Sequence, residues 1–219
     1  MDKVVVWGTS GHALVVVDIL RLQAKYDVVG FLDNIHPDRY GAFFCNAPIL
    51  GGYEQLDQLY TQGVSHVIFG FGDNRARLEL SKEVIARGFR LATAIHPAAT
   101  VASDVSLGIG TVVVAGAIIN PATRIGANVI INTCASVDHE CIIEDGAHIG
   151  PGTRLGGRVT IKRGAWLGIG ATVKDRVTIG AGTTVGAGAV VIGDLPANVV
   201  AYGVPARVQR GGDDHENSH

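Results

Sequence analysis

His139-Glu140 is the strongest pair in this sequence for proton transfer near neutral pH. An imidazole titrates in that range, and a neighbouring carboxylate favours the imidazolium formed when the ring takes a proton, so the pair suits a general base. By residue type alone a solvated surface pair is the commoner meaning of such a dipeptide. A second group lies near the start, where Gly8-Thr9-Ser10-Gly11-His12 joins the first expected strand to the first expected helix. Free backbone N–H groups and the helix dipole at such a junction favour a phosphate. Ser10 stands where GxGxxG has its second glycine, which argues against NAD. Asp33, at the end of the second expected strand, is placed to accept hydrogen bonds from a ribose or a base. A third feature is basic: between Gly146 and Lys174 the chain carries Arg154, Arg158, Lys162 and Arg163 and no acid. Such a strip could receive phosphates, and it fits a solvated charged face as well. Arg158 and Arg176, 18 residues apart, are expected to stack side by side.

Cys45, Cys134 and Cys141 are odd in number and lack CxxC or Cys/His ligand spacing, so neither a disulfide framework nor a zinc site is expected. A reducing cytoplasm fits, and no metal is expected. His36, His66 and His96 show no partner pattern and receive no role.

The elements that must position these groups fall into two halves, because 20 of the 30 glycines lie beyond residue 100. The first half alternates apolar β-branched runs with helical patterns: strands at 3–7, 28–32, 64–69 and 89–93, helices at 11–25, 53–61 and 74–87. That order predicts a small parallel sheet with helices on its faces, an α/β Rossmann-like domain over 1–96. The pattern stops near His96-Pro97. A second domain is expected over 97–210, and the polar, aperiodic tail 211–219 is expected to be disordered.

From residue 101 a period of six takes over. Every sixth residue from Val101 to Val191 is Val, Ile or Leu, sixteen in succession. Chance would give such a run on the order of once in a billion sequences of this composition. The next residue is often Gly (108, 126, 150, 156, 168, 180, 186) or Asn (120, 132), expected to supply left-handed backbone at corners. Four places after the aliphatic stand small residues such as Thr111, Ala117, Ala135, Cys141 and Ala147, suited to a narrow interior. Short strands of this kind cannot bury their faces alone, so the pattern predicts a parallel β-helix of stacked coils. Three hexads per triangular coil give about five coils. His148 lies nine residues after His139, half a coil, so the two imidazoles fall on different sides of the prism. If both serve one reaction, the site is shared between subunits.

A formal charge of −2 over 219 residues removes the broad basic field expected of nucleic-acid or anionic-membrane binders. The apolar run 13–20 is broken by Asp18 and is far too short to span a bilayer, and no charged segment with a cleavage site precedes it. The chain reads as soluble and not exported.

With Val4-Val5-Val6-Trp7-Gly8-Thr9-Ser10-Gly11-His12, Phe31-Leu32-Asp33-Asn34, Val137-Asp138-His139-Glu140-Cys141 and Gly203-Val204-Pro205-Ala206-Arg207, the chain resembles the hexapeptide-repeat sugar acyltransferases. The likeness is to the bacillosamine and perosamine N-acetyltransferase group, related to sialic acid O-acetyltransferases. The resemblance implies a left-handed coil, a homotrimer with active sites between subunits, and acetyl-CoA as co-substrate. It aligns the family's base and adjacent acid on His139 and Glu140. It puts His148 beside the acetyl group, the Gly157 amide at the oxyanion, and the pantetheine and adenine contacts on Ile169 and Ala187. It also puts Ser10, Gly11, His12, Asp33, Asn34 and Gly72 near the nucleotide. Many relatives carry two acids where this chain has Asp33-Asn34, which leaves the base unassigned.

The function so implied is N-acetylation of the amine of a nucleotide-linked amino sugar. Sugar O-acetylation of the sialic acid type keeps the fold and changes the acceptor to a hydroxyl. Serine acetylation leaves the β/α domain without a purpose, and a zinc-dependent carbonic anhydrase needs a third histidine in the repeats. A β-solenoid binding protein without catalysis leaves His139-Glu140 unexplained.

Overall fold

A computed structural model describes residues 1–211. Residues 212–219, nearly all of the expected tail, lie outside the described residues, and Gly211 ends a strand. The chain divides into two compact units that meet at Pro97/Ala98.

In the first unit the apolar run of β1 (Asp2–Trp7) is buried from Val4 onward and lies mid-sheet. It pairs in parallel with β2 (Tyr26–Leu32) on one side. On the other side it pairs with a strand at His66–Phe69. Chain order inserts a hairpin first, β3 (Phe43–Phe44) and β4 (Ala47–Gly51), so the strand His66–Phe69 is β5 and Arg90–Leu91 is β6. The sheet runs β3-β4-β2-β1-β5-β6. The order reverses at β1, and in open α/β sheets ligands bind beyond the carboxyl ends of strands at such a switch point. Helix α1 (Gly11–Gln23) buries Ala13, Val16, Val17, Ile19 and Leu20, one face at helical spacing. A 3₁₀ turn at Tyr53–Gln55 leads into α2 (Leu56–Thr61), which is shorter than the expected helix. Helix α3 (Asn74–Ala86) starts at Asp73, whose carboxylate accepts the Ala76 N–H at 2.9 Å, a strong N-cap. The hairpin was not expected from the sequence. Its two-residue turn is Cys45-Asn46, with φ of 46° and 62°, and lacks the Asn-Gly signature of such turns.

The second unit is a left-handed parallel β-helix, as the resemblance implied. Two-residue strands pair with the strand 18 residues on: Val112↔Ile130, Ser136↔Arg154 and Ile142↔Thr160 give one such pair on each of three faces. The first face carries Ile130–Ile131, His148–Ile149 and Trp166–Leu167; the second Ser136–Val137, Arg154–Leu155 and Thr172–Val173; the third Ile142–Ile143 and Thr160–Ile161. From Val113 to Val191 the aliphatic of each hexad is buried, as are the residues four places on, while Val101, Val105 and Leu107 at the start of the repeats are half-buried. Buried Thr hydroxyls tie successive coils: Thr123 Oγ1 donates to the Asp138 carbonyl at 3.0 Å and Thr153 Oγ1 to that of Gly168 at 3.1 Å.

The reason expected for the corner glycines is corrected. Positive φ occurs two residues later, at Gly152, Gly170 and Gly188 or at Glu140, Arg158 and Arg176, and not at the glycine that follows the aliphatic. Those glycines are needed because the next coil lies against them. A Cβ on Gly156 would stand 2.7 Å from the Asp175 nitrogen, and one on Gly168 2.6 Å from that of Ala187. Among the described residues no helix is long and apolar enough to cross a membrane.

Candidate active site

His139 and Glu140 occupy the corner between the second and third faces. Thr123 fixes the carbonyl of Asp138, and Asp138 Oδ1 accepts the His139 backbone N–H at 2.7 Å and an Asn120 amide N–H at 3.0 Å. These two donors hold the Asp138 carboxyl below the usual carboxylate range. The imidazole Nδ1 lies 3.0 Å from Glu140 Oε2, and Arg158 Nε donates to the same oxygen at 2.8 Å. Arg158 first, and His139 second, hold Glu140 ionised below its ordinary pKa. All three side chains are about half exposed.

Gly157 stands one coil above His139. A Cβ there would come within 2.7 Å of both Cε1 and Nε2 of the imidazole, so the ring is seated where a side chain is missing. His139 and Gly157 line a groove of about 580 Å³ together with Arg154, Arg158, Lys174 and Arg176. Beneath the corner the Cys141 thiol is buried and donates to the Gly156 carbonyl at 3.3 Å. Burial pushes its pKa up to about 11, which removes it as a nucleophile.

His148 lies elsewhere. It sits in a strand of the first face, buried, with Nε2 3.1 Å from the Asn132 amide nitrogen and its ring edge-on to Trp166. His148 is therefore a buried strand residue and not a solvated corner one. Ile169 and Ala187 are exposed and occupy equivalent places in successive coils, at the corner that follows this face; the Gly188 N–H donates to the Ile169 carbonyl at 2.8 Å. Within one chain the predicted set is therefore split between two edges of the prism, with His139, Glu140 and Gly157 on one and His148, Ile169 and Ala187 on the other.

The first unit holds a pocket of about 500 Å³ at the carboxyl ends of β1, β2 and β5. Ser10, Asp33 and Asn34 line it; Gly11, His12 and Gly72 adjoin it in the chain without lining it. Asp33 is buried, which works to raise its pKa. Hydrogen bonds from the Thr9 hydroxyl, the Ile35 N–H at 2.8 Å and His36 outweigh that and hold it below the ordinary value. Trp7 Nε1 donates to Asn34 Oδ1 at 3.1 Å, which fixes the amide. Burial, and then the nearby Arg77 cation, lower the His12 pKa to about 4, so the ring is neutral at pH 7. Arg77 donates to the Gly72 carbonyl at 2.8 Å and anchors the loop after β5.

Two expectations require correction. The basic strip is largely neutralised, because acids one coil back face it: Glu140 meets Arg158, Glu144 meets Lys162 at 2.8 Å and Asp145 meets Arg163 at 3.3 Å. A linear window from 146 to 174 excludes those acids, while an 18-residue coil brings them alongside. His36, given no role, lies in the pocket with Nδ1 3.1 Å from Asp33 Oδ2. Its position three residues after Asp33 was the available signal. Thr9, Tyr53 and Phe71 also line the pocket and were not predicted.

Comparison with known proteins gives two family models, the PglD N-terminal domain over residues 3–84 and the bacterial transferase hexapeptide (six repeats) over residues 158–193. Among solved structures, PerB from Caulobacter crescentus in complex with CoA and GDP-perosamine is 42% identical. The match covers 96% of this chain and 98% of that one with a TM-score of 0.91. The acetyltransferase domain of PglB from Neisseria gonorrhoeae FA1090, in complex with acetyl coenzyme A, is 33% identical over 94% of this chain and 98% of that one, TM-score 0.88. WeeI from Acinetobacter baumannii AYE is 25% identical over 95% and 100%, TM-score 0.86. A chain with this β/α unit, these repeats and this identity over nearly the full length of PerB belongs to the hexapeptide-repeat sugar acyltransferase family.

Proposed function

We propose that this protein transfers the acetyl group of acetyl-CoA to the amine of a nucleotide-linked amino sugar, with His139 as general base. The observation that carries the reading is the His139 imidazole, bound to Glu140 through Nδ1 and resting with Nε2 against Gly157 in a groove that also carries Arg154 and Lys174. The family supports it: PerB was solved with CoA and a GDP-linked sugar, and PglB with acetyl coenzyme A.

In this mechanism the neutral amine attacks the thioester carbonyl while His139 Nε2 takes the amine proton. Glu140 keeps the Nδ1 proton on its own side of the ring and stabilises the imidazolium. The Gly157 amide donates to the developing oxyanion. As the C–N bond forms and the C–S bond breaks, His139 returns the proton to the departing thiolate. The residues suit the co-substrate: Ile169 and Ala187 offer an exposed apolar corner for the pantetheine and adenine, His148 lies by the acetyl group, and Arg154 and Lys174 offer charge for phosphates. In the first unit the chain around Ser10, Gly11 and His12, with Gly72, receives the diphosphate. Asp33 and Asn34 receive the ribose or base. Because the catalytic set lies on two prism edges, each site combines one edge from each of two neighbours in a homotrimer. On this reading the reaction is cytoplasmic.

Thiol release from acetyl-CoA against UDP-, GDP- and dTDP-linked 3- and 4-amino sugars tests this. Activity with one acceptor is expected, and His139→Ala is expected to lower turnover by about 10² to 10⁴. Turnover that is nearly unchanged in the variant removes His139 as the base.

A further inference from the structure

Glu140 serves two partners with one oxygen. Oε2 accepts from Arg158 Nε at 2.8 Å and lies 3.0 Å from His139 Nδ1, while the Arg158 backbone N–H donates to the His139 carbonyl at 2.9 Å. Glu140 and Arg158 hold equivalent places in successive coils, both in left-handed backbone with φ of 56° and 61°. Such backbone favours glycine. The corner that carries Ile169 uses it at the matching position, in Gly152, Gly170 and Gly188. At the His139 corner Glu140 and Arg158 keep long side chains in spite of the strain, and those side chains meet beside the imidazole.

A bare carboxylate at Nδ1 would favour imidazolium, yet a base must be neutral before it can take a proton. A guanidinium on the same oxygen offsets that charge and holds the carboxylate in place. We propose that Arg158 is a positioning residue that acts through Glu140, offsetting the carboxylate charge at His139 Nδ1 and holding the ring oriented. The proposal rests on His139 being the base. Other charges also face the ring. Asp138 accepts the His139 backbone N–H on the same coil, and from the coils above Asp175 pairs with Arg176 at 3.7 Å, with Arg154 and Lys174 along the groove. Among these, Arg158 is the cation bonded to the oxygen that His139 uses.

The test is the titration of the His139 ring in ¹³C-histidine-labelled protein, assigned by its loss in His139→Asn, run beside the pH profile of kcat/KM. In Arg158→Gln the His139 midpoint is expected to rise by about half a pH unit, a roughly threefold gain in proton affinity. The acid limb of kcat/KM is expected to rise with it. Arg158→Asn, a residue that tolerates left-handed backbone, gives the same shift if the glutamine variant folds poorly. Arg158→Lys restores the midpoint, and the shift shrinks when Glu140 is already glutamine. A midpoint that stays or falls in both neutral variants overturns the proposal, as does a uniform loss of kcat with no movement of either curve. If the ring titrates as expected but no amino sugar is acetylated, the coupling through Glu140 stands and the reading of His139 as a base fails.

Discussion

A missing side chain seats the His139 ring, so Gly157 is the sharpest probe of the site at the residue scale. Its φ lies outside the left-handed region, so alanine meets no backbone penalty there, yet its Cβ would press on Cε1 and Nε2 of the imidazole. Gly157→Ala is expected to leave the melting temperature nearly unchanged and to lower kcat by about 10²-fold, the effect of displacing a catalytic group by about an ångström. A large loss of thermal stability instead would mark Gly157 as a packing residue. His12 makes a separate prediction. Its pKa of about 4 in the fold lies below the ordinary 6.5, so between those values the unfolded chain binds a proton that the folded chain does not. Stability is lost as pH falls through that window, by about 1.4 kcal/mol per unit, and roughly 2 kcal/mol between pH 7 and 5. Denaturant midpoints at the two pH values should converge in His12→Asn relative to the parent.

The elements show what sequence could carry. The six-residue period and the β/α alternation were legible because each is a burial pattern, and burial repeats along the chain. His139-Glu140 was legible because its partners are adjacent. Arg158 as a partner of Glu140 was not, nor was the cancellation of the basic strip, because the contacts join residues 18 apart. The hairpin at Phe43–Gly51 was missed because Cys45-Asn46 is a weak turn signal, and His36 because its partner Asp33 was read as a ligand for nucleotide alone. At this scale the interior threonines are the joints. Thr123→Val removes the donor that fixes the Asp138 carbonyl at the His139 corner. A loss of about 1–2 kcal/mol is expected, read as a drop of several degrees in melting temperature, with a fall in kcat because the corner loosens. An unchanged melting temperature would show that Thr123 only fills space.

For the whole molecule, the division of the proposed site between two edges makes activity a property of neighbours. His139→Ala and His148→Ala should each be strongly impaired on their own. Unfolded together in equal amounts and refolded, they are expected, on the proposed trimer, to give mixed assemblies in which an interface can take intact His139 from one chain and intact His148 from the next. Random mixing gives about a quarter of the parent activity, since each intact residue comes from half of the chains. No recovery on mixing would place both histidines in the service of one chain's site or of different steps.

The 18-residue coil also sets how such a chain can change length. Between His139 and Gly157 the solenoid behaves as an indexed wheel with three stops per turn, one hexad each. Adding one hexad between them would leave every aliphatic pointing inward and the core intact, yet turn all later residues by one face and carry Gly157 away from the imidazole. A full coil added after Val191 would lengthen the prism without disturbing the stacked corners at 139 and 157. Core packing is blind to this difference; the groove is not, so lineages with this site are free to gain or lose whole turns only outside it.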